Sequence, residues 1–222
     1  MPGSATPQRK RRSKGEQTRE IILEGALRLI AREGLRGVTH RAVATEAGVQ
    51  LSLTTYYFKD IAALIAQAFE LFCDRAQPAN ERILAELAAY LDRYSAAELR
   101  KVAVREEIAG FMAREACKVL LDNVINRPEG LAVEQVFFST LLQAPELRAM
   151  AAAHRQSMLT PLTKICRRFN RRDPEVDAEL LLDTVTRLEY QALLVDPDDI
   201  DNEHIENLLR RQVGWALGLK QA

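Results

Sequence analysis

The chain has 222 residues, of which 47% are hydrophobic and 28% charged, so it is long enough to bury the core of one large domain or two small ones. Its longest apolar runs fall short of the roughly 20 residues that a membrane span requires. No apolar run follows the basic N-terminus closely enough for a secretory signal. These features disfavour membrane-spanning and secreted proteins and predict a globular cytoplasmic protein.

The formal net charge of zero conceals an asymmetry between the two parts of the chain. Residues 1–60 hold 11 Lys or Arg against 6 Asp or Glu, which gives +5, whereas residues 61–222 hold 20 against 25, which gives −5. A basic segment joined to an acidic remainder is typical of a polyanion-binding module attached to a second part. We expect residues 1–15 to form a disordered basic tail. Its run RKRRSK, residues 9–14, either is solvated or reaches phosphates or a minor groove.

Helical periodicity dominates the chain, and strand-like alternation is nearly absent, so the sequence predicts an all-α fold of about nine or ten helices. The first helix covers 18–34 with an apolar stripe, and Gly34 stands where a helix stop is expected. Thr39 caps a short second helix, and a third covers LSLTTYYF with Gln50 or Ser52 near its start. Asp60 caps a fourth helix, which Pro78 is expected to end.

The helices predicted beyond Pro78 are mostly longer. One covers 79–94, and the next begins with the capping box SAAE at Ser95 and runs to about Asn126, with or without a break. The sequence RPEG, residues 127–130, predicts a turn. Further helices are predicted over 131–143, 145–169, from about 175 to 195, and 203–219.

Helices two and three have the spacing of a helix-turn-helix, in which the second of the two helices enters the major groove of DNA. Gly48 gives the turn its backbone freedom, and the small Ala47 lets the two helices approach closely. A plain αα-hairpin shares these features. The residues expected to face outward favour the DNA-binding interpretation, because hydroxyl groups can donate to phosphates and apolar side chains can contact thymine methyl groups.

Residues 18–65, which include TREIILEGALRLIAREGLRGVTHRAVATEAGV, then YYF and Leu64, closely resemble the DNA-binding domain of the TetR family of transcriptional repressors. The resemblance implies a homodimer with two domains, a helix-turn-helix domain over 16–62 and a ligand-binding and dimerisation domain over 63–222. It further implies a regulator, most simply a repressor, that a small apolar or amphipathic ligand releases from a palindromic operator. No cofactor is implied.

The family pattern places one set of residues at or beside the DNA. The predicted DNA-binding residues are Thr39, His40, Arg41, Gln50, Leu51, Ser52, Leu53, Thr55, Tyr56, Tyr57 and Lys59. The chain departs from the family pattern at three positions, because the family usually has Gly at 52, often Tyr at 55, and Lys at 61, where this chain has Ile61. Lys59 is the expected substitute for that missing charge. His40 either contacts a phosphate or is solvated, and Phe58 is expected to pack under helix four.

The rest of the chain lacks a catalytic or metal-binding signature, so we predict neither an enzyme nor a metal site. His154 and His204 are isolated and are expected at the surface or partly buried. Cys73, Cys117 and Cys166 are widely spaced, which favours free buried thiols over a disulfide framework, with a redox-sensing thiol as the alternative.

Several apolar residues at helical spacing either form core or line a pocket for a small molecule. The predicted ligand-binding residues are Phe111, Met112, Cys117, Phe137, Phe138, Leu141, Met158 and Tyr190. Arg187 and Glu189 share a predicted helix with Tyr190, and either one could point inward.

Dimerisation in the family usually uses late helices, and the candidates are 145–169, 175–195 and 203–219, of which we favour the first two. The predicted apolar stripe on the middle helix consists of Leu180, Leu181, Thr184, Leu188 and Ala192. A protein with this fold that has lost specific DNA binding and acts only through ligands or partners is the competing function. An enzyme is the third and is disfavoured by the missing catalytic residues.

Overall fold

A computed structural model of the chain describes residues 14–140 and 147–219, which form nine α-helices and no strand. This confirms the predicted all-α fold. The helices are α1 Lys14–Glu33, α2 His40–Ala47, α3 Leu51–Tyr57, α4 Ile61–Leu91, α5 Val102–Asn126, α6 Pro128–Thr140, α7 Arg148–Cys166, α8 Pro174–Ala192 and α9 Asn202–Ala216. None of the helices among these described residues is long and apolar enough to cross a bilayer.

The chain divides between Leu71 and Phe72 into two compact units, which we call the N-terminal unit and the C-terminal unit. The division falls inside α4, later than the boundary predicted after residue 62. Residues 1–13 of the predicted tail lie outside the described residues, and α1 already begins at Lys14 instead of near Thr18.

The N-terminal unit is held by the apolar stripe predicted on its first helix. Ile22, Ala26 and Ile30 are fully buried, and Leu29 is almost so. The same core includes Val43 from α2 and Phe58 from the end of α3, which confirms the inward position expected for Phe58. Such burial of large apolar side chains stabilises each by about 1.5–3 kcal/mol relative to exposure.

Two clusters of buried apolar side chains in the described part of the C-terminal unit share α5, α8 and α9. The first cluster includes Ile108 and Met112 of α5 with Leu181 of α8 and Val213 of α9. The second lies farther along α5, where Leu120 packs with Leu188 and Leu209. The three helices are therefore the common framework of this unit.

Pro78 does not end the fourth helix, contrary to the prediction, because α4 continues through it to Leu91. A proline inside a helix removes one N–H donor and crowds the carbonyl four residues earlier. Here Pro78 and Asp74 are both exposed, so water can satisfy the carbonyl group that loses its partner.

The turn predicted over RPEG is also wrong, since Pro128 begins α6 and Glu129 and Gly130 continue it. Proline is well suited to the first position of a helix, where its N–H would have no partner inside the helix. At Ser95 the capping box forms, with the Ser95 N–H donating to Glu98 Oε2 over 2.8 Å. It opens a single 3-10 turn, Glu98–Arg100, and not the long helix, which begins separately at Val102.

Candidate functional site

The turn between α2 and α3 fixes the angle between the two helices of the candidate DNA-binding motif. Thr39 Oγ1 accepts a 3.1 Å hydrogen bond from the Ala42 N–H and caps the start of α2. At the other end Gly48 adopts a left-handed conformation with φ of 66°, and the Val49 N–H donates to the Ala44 carbonyl over 3.0 Å. This stops α2 with the backbone geometry that glycine adopts most readily.

The inner side of α3 is held by Phe58 and by Thr54, a residue that the sequence analysis missed. Thr54 is fully buried, and its hydroxyl donates to the Leu51 carbonyl oxygen at 2.8 Å, with the His40 carbonyl oxygen 3.4 Å away. A hydroxyl buried between helices needs such partners. Its position four residues before Phe58 places it on the inward face, and that spacing could have identified it.

The outer side of α3 presents uncharged polar and apolar groups to solvent. The Tyr56 side chain is 79% exposed and Leu51 is 42% exposed, and Ser52 and Thr55 are exposed as well. The ring of Tyr56 meets that of Tyr57 edge-to-face, with centroids 5.1 Å apart. The Tyr57 ring is half-buried and supports the exposed Tyr56 ring.

The other predicted DNA-binding residues surround this face in varied environments. Arg41, Gln50, Lys59 and the cap Thr39 are exposed, whereas Leu53 and Tyr57 are half-buried. His40 is half-buried too, and its Nδ1 is enclosed without a hydrogen-bond partner among the described residues. The enclosed Nδ1 is therefore not accessible to a phosphate.

Contacts between α1 and α2 hold the motif in place. Glu46 accepts from Arg28 Nε over 2.8 Å and from Arg32 over 3.1 Å, and these hydrogen bonds hold the pKa of Glu46 below its ordinary value. The same two helices also approach closely at Gly25 of α1. A Cβ built on Gly25 would lie 3.0 Å from Ala47 Cβ and 3.2 Å from the Ala47 backbone nitrogen. Close approach therefore requires glycine at position 25 of α1.

The described members of the predicted ligand-binding set are divided between different parts of the C-terminal unit. Met112 and half-buried Phe111 belong to the first core cluster, and Cys117 and half-buried Tyr190 to the second. Phe137 is fully buried, Phe138 is 38% exposed, and Met158 is half-buried. Leu141 lies outside the described residues.

A groove of about 420 Å³ lies between α4 and α5, and of the predicted set only Phe111 lines it. Apolar walls from Ile83, Leu87 and Val119 alternate with charged side chains. The charged lining residues are Arg82, Glu86, Glu115, Lys118, Asp122 and Arg127. Lys118 pairs with Glu115 at 2.7 Å, and the Phe111 ring stacks on Tyr90 with centroids 3.7 Å apart. The groove thus offers apolar surface with both signs of charge.

The sequence analysis left open whether Arg187 or Glu189 points inward. The structure buries the carboxyl group of Glu189, beside Leu188 and Tyr190 of the second cluster. Glu189 is 6% exposed, whereas Arg187 faces solvent. Burial raises the pKa of Glu189 to about 7, while the hydrogen bond from Asn123 and the charge of Arg127 act in the opposite direction. Burial also raises the pKa of the half-buried Glu134, and that of Tyr190 to about 12.

Within residues 14–140 and 147–219, no group of three or more His, Cys, Asp or Glu side chains is placed to hold a metal ion. Contrary to expectation, His154 is buried, at 8% exposed, and burial lowers its pKa, whereas His204 is exposed. Cys117 and Cys166 are buried and Cys73 is half-buried. Burial raises the pKa of both buried thiols, which is the opposite of the shift that activates a cysteine.

Comparisons with known proteins agree with this geometry. Residues 22–68 match the family model described as bacterial regulatory proteins, tetR family. Over 205 residues the chain is 22% identical to the HTH-type transcriptional regulator PksA of Bacillus subtilis (strain 168), covering 89% of each protein.

Solved structures show the same likeness across most of the chain. A TetR-family member from Streptomyces coelicolor A3 is 25% identical with a TM-score of 0.60, covering 88% of this chain and 98% of that one. The multidrug binding protein EbrR, solved with ethidium, is 26% identical with a TM-score of 0.57 and the same coverage. The matched segment contains the capped α2, the Gly48 turn and the exposed α3. Residues 22–68 are therefore a DNA-binding domain of the TetR family of bacterial regulators, and most of the chain shares its fold with solved regulators of that family.

Proposed function

We propose that the protein is a homodimeric repressor that binds a palindromic operator through α3 and leaves it when a small amphipathic molecule binds the C-terminal unit. The observation that carries the DNA-binding part is the exposed face of α3. Its side chains contribute little to the core, yet they include a tyrosine that is 79% exposed. A surface of hydroxyl, aromatic and aliphatic groups suits the major groove better than it suits water.

The exposed residues divide by the DNA group that each can reach. Leu51, Ser52, Thr55 and Tyr56 lie on the face of α3 that would enter the groove. Arg41 and Lys59 flank that face and can neutralise phosphates, while Thr39, His40, Gln50 and Tyr57 stand at the edges. Two copies of α3 would have to lie about 34–36 Å apart to reach successive major grooves.

The apolar residues left exposed on the late helices favour a dimer through α8 and α9, in place of α7 and α8 as expected from the sequence. Val176 and Leu180 on α8 are 54% and 50% exposed, and Trp215 on α9 is 53% exposed. Leu181, Leu188 and Ala192 of the predicted stripe are buried in their own chain instead. No large apolar side chain of the described α7 reaches comparable exposure.

The groove between α4 and α5 is the proposed effector site. Its apolar walls and paired charges fit an amphipathic molecule, and a volume of about 420 Å³ lies in the usual range for such ligands. The structural likeness to EbrR, which was solved with ethidium, supports a ligand of this kind. Helix α4 belongs to both units, because the division between them falls inside it. A ligand bound to α4 can therefore favour a dimer in which the spacing of the two α3 helices does not fit DNA. Its effect is limited by its difference in affinity for the two states.

The DNA-binding proposal is tested with the DNA upstream of the protein's own coding region, by fluorescence anisotropy over a range of salt concentrations. Tyr56→Ala should abolish specific binding while the dimer persists in sizing chromatography. Lys59→Ala should reduce the slope of log K against log salt by about 1, because one phosphate contact is lost. Lys101→Ala in the C-terminal unit is the matched control. Unchanged binding by both N-terminal variants would contradict the proposal.

The effector site is tested with ethidium as the probe, by fluorescence titration without DNA. Val119→Arg fills the groove with a bulky cation and should weaken ethidium binding. Val102→Arg makes the same change on α5 at a position that is 62% exposed and does not line the groove, so it should leave binding unchanged. Equal affinities for the two variants would place the ethidium site elsewhere.

A further inference from the structure

A second recess of the C-terminal unit is lined by four cationic side chains, Lys164, Arg167, Arg168 and Arg171. Its volume is about 610 Å³. Residues 72–222 carry 20 Lys or Arg against 24 Asp or Glu, so the surrounding unit is acidic. Four cations within eight residues therefore form a basic patch in a unit whose net charge is negative.

The path of the chain after α7 brings these side chains together. The helix ends at Cys166, and the Asn170 N–H donates back to the Cys166 carbonyl over 3.0 Å. Asn170 Oδ1 then accepts from the Arg172 N–H over 2.9 Å, which fixes the turn. Arg171 consequently lines the same recess as Lys164, which lies in the last turn of α7.

The positive charge of the recess is only partly neutralised by the protein. Arg167 pairs with Glu175 at 2.6 Å, and Arg168 pairs with Asp92 at 2.6 Å. No ion pair to Lys164 or Arg171 is formed within the described part of the chain. Four cations against two carboxylates leave two positive charges. The existing pairs are largely exposed and therefore weak, so Arg167 can exchange Glu175 for another anion at small cost.

A helix C-terminus attracts cations, and this explains Lys164, Arg167 and Arg168 in part. It does not explain Arg171, because the field of the helix falls off within its last turn and Arg171 lies five residues beyond Cys166. Guanidinium groups present planar pairs of donors that match phosphate oxygens, and their stems offer apolar surface beside the charge.

We propose that this recess binds the phosphate group of a small phosphorylated molecule. The site is separate from the groove between α4 and α5 and does not depend on the operator or the effector. Two uncompensated positive charges match a doubly charged phosphate. The volume of the recess leaves room for the rest of the phosphorylated molecule. The Arg167 and Arg171 forks would hold the phosphate oxygens, with Lys164 as a further point charge.

The test uses sodium pyrophosphate as the probe, titrated into the full-length protein by calorimetry at constant ionic strength. We expect saturable binding at one site per chain. Lys164→Ala/Arg171→Ala should weaken it by about ten-fold or more, since charge-assisted hydrogen bonds are lost. The control Arg100→Ala/Lys101→Ala removes the same charge from exposed positions elsewhere and should stay within about two-fold of the unmodified protein. Absence of saturable binding, or equal weakening by the two double variants, would overturn the proposal.

Discussion

The side-chain amide of Asn123 on α5 donates a 2.6 Å hydrogen bond to the carboxyl group of Glu189 on α8. This bond satisfies one oxygen of a side chain that is only 6% exposed. A single neutral donor does not replace the hydration of a carboxylate, so burial still dominates and raises the pKa of Glu189 to about 7. The C-terminal unit therefore contains an acid that titrates near neutral pH.

Glu189→Gln should stabilise the protein at pH 8 more than at pH 5. The ordinary pKa of 4.5 applies to the unfolded chain, and the folded value is about 7. Between these two pKa values the folded state holds a proton that the unfolded chain has released. The free energy of unfolding therefore falls as the pH rises from 4.5 towards 7, and the full loss is reached above pH 7. The cost is on the order of 3 kcal/mol.

Urea unfolding at the two pH values measures this difference. Glutamine keeps an oxygen that can accept from Asn123, so the variant removes the charge and preserves the hydrogen bond. Glu179→Gln on the exposed side of the same helix is the matched control for the change of glutamate to glutamine. A Glu189→Gln effect equal at pH 5 and pH 8 would show that burial does not raise the pKa of Glu189 in the folded protein.

Gly25→Ala should destabilise the N-terminal unit although alanine favours helices by about 1 kcal/mol over glycine. The added Cβ would stand 3.0 Å from Ala47 Cβ and 3.2–3.3 Å from its backbone atoms, which cannot move without shifting α2. Overpacking of this kind costs about 1–3 kcal/mol. The double variant Gly25→Ala/Ala47→Gly should recover part of the loss in thermal unfolding. A single variant more stable than the parent protein would contradict the close contact.

The sequence was sufficient for the DNA-binding motif because its signals are local. Thr39 caps the helix that follows it, Gly34 and Gly48 adopt positive φ where helices stop, and Phe58 is buried as predicted. Each of these depends on the backbone within a few residues. The outward positions on α3 then follow from helical geometry alone.

The features that sequence reasoning missed depend on tertiary surroundings. A proline usually ends a helix, and only the exposure of the backbone around Pro78 shows why α4 continues. The inward position of Glu189 requires Asn123, which is 66 residues away in sequence. The groove between α4 and α5 likewise forms between residues far apart in sequence, so a list of apolar residues included only Phe111 of its lining.

Thr54→Val should lower the stability of the N-terminal unit by about 1 kcal/mol, as expected for the loss of the hydrogen bond that the buried Thr54 hydroxyl donates to the Leu51 carbonyl oxygen. Valine has nearly the shape of threonine, so packing around the fully buried side chain is preserved. The control Thr55→Val changes the exposed neighbour, whose hydroxyl lies 3.2 Å from the Ser52 carbonyl oxygen. Water replaces that contact, so the midpoint of thermal unfolding should hardly change. Equal shifts for the two variants would mean that the Thr54 hydroxyl has no particular role.

Leu180→Asp should convert the proposed dimer to monomers, as measured by light scattering after sizing chromatography. Leu180 is 50% exposed in the single chain, so a carboxylate there leaves the fold of each chain intact. Across a dimer interface, however, two unpaired carboxylates would lose their hydration, which is costly. Ile125→Asp makes the same change on α5 at a side chain that is 46% exposed, and it should leave the dimer intact. Monomers from Ile125→Asp, with a persistent dimer for Leu180→Asp, would place the interface away from α8.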